Sequence, residues 1–321
     1  MQSTPNNRTG WQMDKRELLI GVPRVPTVLT LIIALISIAV TASCSWAQET
    51  KVNIMPETLQ PGQVNLIEIN SPQCRMKPGE FCNATLSFQH HSIPLKEIAP
   101  GRFLGFLPVA LNERPGVSYI EVHLAGADYR SVVRKPVVIK PKKYREQHLK
   151  VSKKMVDLSK KRLEQVLSDQ KAVRQVCKGR IKDILWESPF IWPVDDPVIT
   201  SPFGLRRFFN GKPRSPHSGL DLKAREGTPI KSMNNGIVTL VRDCYLSGNT
   251  VAIDHGGGLV TLYAHLSKVN VTEGEKINTG AIIGLAGSTG RVTGPHLHWG
   301  VSIAGIRVDP KGFMAAASRK P

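Results

Sequence analysis

Apolar and polar residues alternate along one long stretch of the chain, from about residue 52 to residue 140. Short apolar runs there have a polar residue at every second position, and Pro-Gly pairs such as Pro61-Gly62 and Pro100-Gly101 separate the runs. A period of two bounded by turn residues is typical of short antiparallel strands. The pattern predicts a small β-sandwich over residues 48–140.

The spacing becomes helical between residues 141 and 185. Val151, Met155, Leu158, Leu163 and Val166 recur at intervals of three to five, with polar residues between them. Residues 141–183 include 14 Lys and Arg but only 5 Asp and Glu, so this segment carries half of the net charge of +18. The sequence predicts a basic helical linker, whose charged face is either solvated or in contact with an anionic polymer or membrane.

Strand patterns return from residue 186 to residue 321. Apolar runs such as 236–241 and 258–263 are bounded by turn sequences that include Asn234-Asn235-Gly236 and Gly256-Gly257-Gly258. Such runs predict an antiparallel β domain with little helix. The fold class predicted for the whole chain is therefore mainly β.

The N-terminus has a different character from all three of these regions. Residues 27–43 are an uncharged, mostly apolar run of 17 residues that follows Arg8, Lys15, Arg16 and Arg24. This order of charge and hydrophobicity is typical of an export signal, and it also fits a retained membrane anchor. Cleavage after Ala47, retention as an anchor and lipidation at Cys44 all remain open. We therefore assign residues 1–47 to a signal peptide or membrane anchor.

The net charge limits the class of binding partner. A net charge of +18 points to an anionic partner, and export disfavours nucleic acid as that partner.

Without Cys44, four of the five cysteines remain, and an even number in an exported protein is compatible with disulfides. Cys74 and Cys82 are the locally plausible pair. No C-x-x-C spacing occurs, so a zinc site built of cysteines is not supported.

Candidate chemistry is concentrated in three short clusters of the C-terminal region. His217 precedes Asp221 by four residues, His265 lies in the middle, and His296 and His298 flank Leu297. On a strand, residues two apart lie on the same face with Cα atoms about 6 to 7 Å apart. Two imidazole nitrogens and one carboxylate oxygen suit Zn²⁺ and leave a fourth position open, as in catalytic zinc sites.

Two further residues, Tyr263 and His255, lie near these clusters in the sequence. If the chain is extended at His265, Tyr263 shares its face and either contacts substrate or packs over the site. His255, next to Gly256, is interpreted as a turn residue and not as a ligand.

These clusters and their surroundings resemble the lysostaphin-type (LytM domain) zinc endopeptidases of bacterial cell walls. The resemblance covers roughly residues 192–310 and includes Ser201-Pro202-Phe203-Gly204, Asp254-His255-Gly256 and Gly287-Ser288-Thr289-Gly290. It implies an antiparallel β domain with an open groove and one zinc ion per chain. By the same resemblance, the zinc ligands are His217, Asp221 and His298, and the catalytic pair is His265 and His296.

Two functions follow as hypotheses. The resemblance implies an endopeptidase that hydrolyses the peptide crosslinks of peptidoglycan in the bacterial envelope, either in the periplasm or anchored to the inner membrane through residues 27–43. The alternative is a non-enzymatic envelope module of the same type that activates other cell-wall hydrolases. The presence of every ligand and catalytic position favours the enzyme.

Overall fold

The structure is a computed structural model that describes residues 49–74, 82–127, 129–150 and 159–319. The proposed signal or anchor at residues 1–47, with the apolar run 27–43 and Cys44, lies outside these ranges, as do Val151, Met155 and Leu158. Within the described ranges, no helix has both the length and the apolar content needed to cross a membrane.

Seven antiparallel strands form the N-terminal β region. Strand β4 joins its two halves, because its first residues pair with β3 and its last residues pair with β5. The path β1-β2-β5-β4-β3-β6-β7 curls until Leu59, after β1, exchanges backbone hydrogen bonds of 3.2 and 2.8 Å with Val138 and Lys140. The strands are β1 (Lys51–Met55), β2 (Val64–Asn70), β3 (Asn83–Phe88), β4 (His91–Ala99), β5 (Arg102–Pro108), β6 (Gly116–Ala125) and β7 (Arg130–Ile139). The antiparallel strands predicted here are confirmed.

The cysteines in the described ranges are one bonded pair and two free thiols. Cys74 and Cys82 form the disulfide that the sequence favoured. Cys177 and Cys244 are free and buried.

A strand and a helix connect the two β regions. Strand β8 (Glu146–Leu149) was not foreseen from the sequence, whereas helix α1 (Lys160–Val176) confirms the helical pattern in its second half. Ser159 caps α1, since its hydroxyl oxygen accepts a hydrogen bond from the Arg162 amide at 3.4 Å. Asp169 of α1 accepts hydrogen bonds of 2.8 Å from Arg242 and 2.9 Å from the Tyr245 amide. These contacts fix the helix against the C-terminal sheet.

The C-terminal region is built on a ten-stranded antiparallel sheet. Its main path runs β17-β14-β15-β16-β19-β12-β9, and β13, β18 and β20 pair alongside it. A separate small sheet has the order β11-β10-β8, in which β8 runs parallel to β10. The strands are β9 (Ile199–Ser201), β10 (Arg206–Phe209), β11 (Lys212–Pro213), β12 (Leu220–Lys223), β13 (Pro229–Lys231), β14 (Gly236–Cys244), β15 (Gly248–Asp254), β16 (Leu259–Val269), β17 (Lys276–Ile277), β18 (Ile282–Ala286), β19 (His296–Ile303) and β20 (Ile306–Val308), and helix α2 (Pro310–Ala317) follows.

An aromatic cluster holds the N-terminal strands against the C-terminal region. The ring of Phe106 lies 5.5 Å from Trp186, 5.9 Å from Phe190 and 4.8 Å from Phe313, between ring centroids. Aromatic pairs at these separations stabilise an interface beyond the area that they bury. Residues 48–321 accordingly form one compact unit, and the domain boundaries at residues 140 and 185 stay a prediction from sequence.

His255 is part of a buried polar network and is fully removed from solvent. Its Nδ1 lies 2.6 Å from the Asn235 carbonyl oxygen and its Nε2 lies 2.7 Å from the Thr261 hydroxyl. A carbonyl can only accept, so Nδ1–H of His255 donates its proton to the Asn235 carbonyl. Burial lowers the pKa of His255 to about 4, although the Asn235 carbonyl and Asp254 act in the opposite direction.

We expect the His255 network to make the fold sensitive to acid. An unfolded histidine titrates near 6.5. Between that pH and about 4, the unfolded chain therefore binds a proton that the folded chain does not. The free energy of unfolding should fall by up to about 3 kcal/mol as the pH drops through this window.

Denaturant unfolding of the wild type and of His255→Gln at several pH values measures this contribution. The variant should be less stable at pH 8 but should have a shallower decline towards pH 4. Equal declines for the two proteins would contradict a lowered pKa at His255.

Candidate metal centre

Strand register brings Asp221 and His298 together. Strand β12 pairs with β19, and these two residues are direct partners. Directly opposed residues of an antiparallel pair lie on the same face with Cβ atoms about 4.5 to 5.5 Å apart. His217 comes from the loop before β12, where its amide donates to Leu205 at 3.0 Å and its carbonyl accepts from Gly204 at 2.8 Å. The three side chains therefore converge from two strands and one anchored loop.

Their ligand atoms form a small triangle. Nε2 of His217 lies 3.0 Å from Nδ1 of His298, and Oδ1 of Asp221 lies 2.9 Å from each of them. Ligands held tetrahedrally at zinc–nitrogen distances of 2.0 to 2.1 Å are about 3.3 Å apart, close to this spacing. The donor set of two imidazole nitrogens and one carboxylate oxygen thus fits a single zinc-sized ion.

Neighbouring groups orient the ligands. Nδ1 of His217 lies 2.9 Å from the Pro202 carbonyl, to which it donates its proton, so Nε2 directs a lone pair into the triangle. A Cβ atom at Gly219 would lie 2.7 Å from Nε2 of His298. The glycine between His217 and Asp221 therefore makes room for the ring of the third ligand.

The charge states of Asp221 and His298 match those that a metal requires. Burial opposes ionisation of Asp221, but hydrogen bonding and charge from His217 and His298 hold the pKa of its carboxyl well below the usual range. Burial lowers the pKa of His298, against the effect of Asp221. An ionised carboxylate and neutral imidazoles are the forms that bind metal.

His265 and His296 lie beside the triangle and close to each other. Their ring centroids are 4.8 Å apart, and the ring of His265 lies 6.0 Å from that of His298. Nδ1 of His265 donates to the Thr289 carbonyl and Nδ1 of His296 donates to the Gly294 carbonyl, each at 2.9 Å. Both Nε2 atoms are thereby left as the basic nitrogens, and that of His296 is 3.8 Å from Oδ1 of Asp221.

A backbone irregularity turns His265 towards the metal centre. His265 has a φ of +64°, and the pairing of β15 with β16 shifts register next to it. Tyr263 instead pairs with Trp299, is fully buried, and accepts a hydrogen bond from the Met233 amide at 2.9 Å. The expectation of a shared face for Tyr263 and His265 is therefore wrong, because the strand is not regular there. Tyr263 belongs to the core.

Burial also sets the protonation of His265. Its residue surface is only 8% exposed. Burial lowers the pKa of His265 to about 4, against the effect of the Thr289 carbonyl. Its imidazole is consequently neutral at neutral pH and can accept a proton.

Arg207, which no sequence motif indicated, lies beside Asp221, the candidate carboxylate ligand. Its Nη2 lies 3.1 Å from the Ser201 hydroxyl and 3.9 Å from Oδ2 of Asp221. The sequence pointed to Arg207 only through its position three residues after Gly204, the last residue of the motif Ser201-Pro202-Phe203-Gly204. The sequence also predicted no role for the carbonyl of Thr289, which belongs to the motif Gly287-Ser288-Thr289-Gly290.

We expect Arg207→Gln to weaken metal binding by about 10- to 100-fold, as removal of groups that orient metal ligands typically does. Competition with a chromophoric chelator measures the affinity. Arg206→Gln is the matched control, because Arg206 is the adjacent residue of β10 and its side chain is exposed. Equal losses in the two variants would contradict a specific role for Arg207.

Comparisons with known proteins agree with this geometry. Peptidoglycan DD-endopeptidase ShyA of Vibrio cholerae is 43% identical over 133 residues, which are 40% of this chain and 31% of that protein. DD-carboxypeptidase/endopeptidase Mpg of Neisseria meningitidis is 43% identical over 112 residues, 35% of this chain and 26% of that protein. The chain thus spans less than a third of the length of these curated relatives.

A solved structure extends the likeness beyond the metal centre. A peptidase M23 protein from Pseudomonas aeruginosa superposes with a TM-score of 0.56 at 29% identity, over 80% of this chain and 94% of that one. That coverage includes much of the chain outside the C-terminal β domain.

Fold and candidate site together describe an antiparallel β domain in which three side chains are placed so that they could hold one metal ion. The model of peptidase family M23 matches residues 215–310, which contain all five predicted site residues. These residues are therefore a peptidase M23 domain.

Proposed function

We propose that this chain is a zinc-dependent endopeptidase that hydrolyses peptide crosslinks of peptidoglycan. The observation that carries the proposal is the triangle of His217, Asp221 and His298 with two further histidines beside it. The relatives ShyA and Mpg, which are named for DD-endopeptidase activity, support peptidoglycan as the substrate.

Zinc is the proposed metal because of the donor set. Three protein ligands from two imidazoles and a carboxylate leave a fourth position for water, which is typical of catalytic zinc. When bound, the ion would lower the pKa of a water molecule towards ~7 and polarise the carbonyl of the scissile amide.

The two remaining histidines would move the protons. Amide hydrolysis adds the oxygen of water to the carbonyl carbon, breaks the C–N bond and delivers a proton to the departing amine. His265 is buried and neutral, so its Nε2 can accept the proton of the water. His296 is more exposed, at 19% of its side chain, and once its Nε2 has taken up a proton the imidazolium can donate a hydrogen bond from that nitrogen to the developing oxyanion.

The alternative of a non-enzymatic module has less support. A module that only activates other hydrolases has no need for a complete site, yet here every ligand and both flanking histidines are present and oriented. The proposed location is the bacterial envelope, reached through the export signal at residues 27–43, with either periplasmic release or anchoring to the inner membrane.

Digestion of purified peptidoglycan by the full chain tests the proposal. We expect peptides to be released with zinc present, to be absent after chelation, and to return when zinc is added back. Mass analysis of the products identifies the bond that is cleaved. Failure to release peptides under every metal condition would refute the enzymatic function.

A further inference from the structure

A cavity lies beside the metal centre, between helix α1 and the sheet. Its volume is about 430 Å³, and it opens to solvent. Its walls include Val173 and Arg174 from α1, Ser218 and His298 from the metal centre, and Leu262 and Arg307 from β16 and β20. A ligand of the metal centre thus forms part of the wall of a space that the proposed chemistry does not yet use.

The guanidinium of Arg307 lies on the same face of the sheet as the metal ligands. His298, Gly300 and Ser302 alternate along β19 and share one face. A Cβ atom at Gly300, which would point to that face, would meet Nη1 of Arg307 at 2.7 Å. Arg307 therefore extends across β19 at Gly300, in space that only a glycine leaves open.

Arg307 has no carboxylate partner among the residues that the structure describes. The guanidinium of Arg307 contacts the thiol of Cys177, which is a weak hydrogen-bonding group. The acidic residue of the cavity wall, Asp169, already bonds Arg242 and the Tyr245 amide. With Arg174 also in the wall, the cavity has an excess of positive charge.

The distance to the metal centre limits what can bind. Cα atoms two residues apart on a strand are about 6 to 7 Å apart, so Arg307 reaches a point that far from His298. One residue of extended peptide spans about 3.3 Å. An anion bound by Arg307 would then be carried by a peptide residue within about two positions of the bond held at the metal centre.

We propose that this cavity binds a free carboxylate of the substrate peptide through Arg307. The inference rests on the proposed endopeptidase function and deepens it by naming a substrate class. The guanidinium fork matches a carboxylate with two parallel hydrogen bonds, and the sheet around it excludes part of the solvent. The preferred crosslink therefore carries an acidic residue within about two positions of the cleaved bond, and an uncharged glycine bridge lacks the group that Arg307 recognises.

The test uses two synthetic crosslinked peptides that differ only in whether the carboxylate within about two positions of the scissile amide is free or amidated. Calorimetry with the metal-stripped full chain measures binding without turnover. We expect the wild type to bind the free acid roughly 10- to 100-fold more tightly than the amide, as a charge-assisted hydrogen-bonded pair implies. Arg307→Gln should bind both peptides alike, and Arg307→Lys should keep part of the preference.

Two controls keep the binding result specific. Arg134→Gln removes an arginine from the N-terminal β region and should keep the wild-type preference. Circular dichroism shows whether Arg307→Gln folds, and if it does not, Arg307→Lys and the wild-type comparison decide the question. Equal binding of both peptides by the wild type, or an unchanged preference in Arg307→Gln, would overturn the carboxylate site.

Cleavage of the same peptides by the zinc-loaded chain separates this inference from the proposed function. We expect kcat/KM to favour the free acid in the wild type and to lose that preference in Arg307→Gln. If neither peptide nor intact peptidoglycan is cleaved, the endopeptidase proposal fails, while the binding ratio still decides whether Arg307 recognises a carboxylate.

Discussion

His298→Ala is expected to lose the bound metal and to lower peptide cleavage by about 1000-fold or more. In the proposed site His298 contributes one of three ligand atoms, each 2.9 or 3.0 Å from the others. Its removal leaves one imidazole and one carboxylate, which is too few for a stable zinc site. Stabilisation of transition-state charge by a metal amounts to several kcal/mol, which corresponds to this loss of rate.

Metal analysis after gel filtration, together with the rate of peptidoglycan digestion, measures the effect. His90→Ala is the matched control, since His90 is an exposed histidine of the N-terminal β region. The control should retain one zinc ion per chain and the wild-type rate. A His298→Ala protein that binds zinc stoichiometrically and digests peptidoglycan normally would contradict the assignment of the ligand.

Much of the candidate metal centre could be predicted from the sequence because its residues are close together within each cluster. The spacing of His296 and His298 has the period of a strand, and the structure places both on β19. Likewise, the turn residues around the short apolar runs predicted antiparallel strands, and the structure confirms them. Local patterns of this kind depend only on backbone periodicity.

Contacts between distant parts of the chain could not be predicted in this way. Asp221 and His298 are 77 residues apart, and their pairing depends on the register of β12 with β19. The orientation of His265 depends on a left-handed backbone conformation at a register shift, which reverses the alternation that a regular strand would have. Periodicity also gave no indication that Arg307 would cross β19 at Gly300, since that approach is set by tertiary packing.

The linker between the two β regions contributes to the surroundings of the candidate metal centre, which its charge alone did not predict. Strand β8 pairs with β10, the strand that carries Arg207 next to Asp221. Helix α1 forms one wall of the cavity that His298 also lines. The segment between the two β regions therefore contributes to the surroundings of the site in addition to connecting them.

His296→Ala is expected to keep the metal but to lose turnover, by about 100- to 10,000-fold as for removal of a group that acts in proton transfer or charge stabilisation. Its Nε2 lies 3.8 Å from Oδ1 of Asp221, whereas the ligand atoms of His217 and His298 each lie 2.9 Å from that oxygen. His296 is therefore outside the triangle although it shares a strand face with His298. Its loss should leave all three ligands in place.

Zinc stoichiometry and single-turnover cleavage, measured on His296→Ala beside His298→Ala, separate the two roles. In His296→Ala we expect one zinc ion per chain, near-normal binding of substrate and a much lower rate of the chemical step. Loss of zinc from His296→Ala would show that the roles of the two histidines are exchanged. Retention of both zinc and rate would show that His265 alone performs the proton transfers, because its Nε2 is the other basic nitrogen beside the metal ligands.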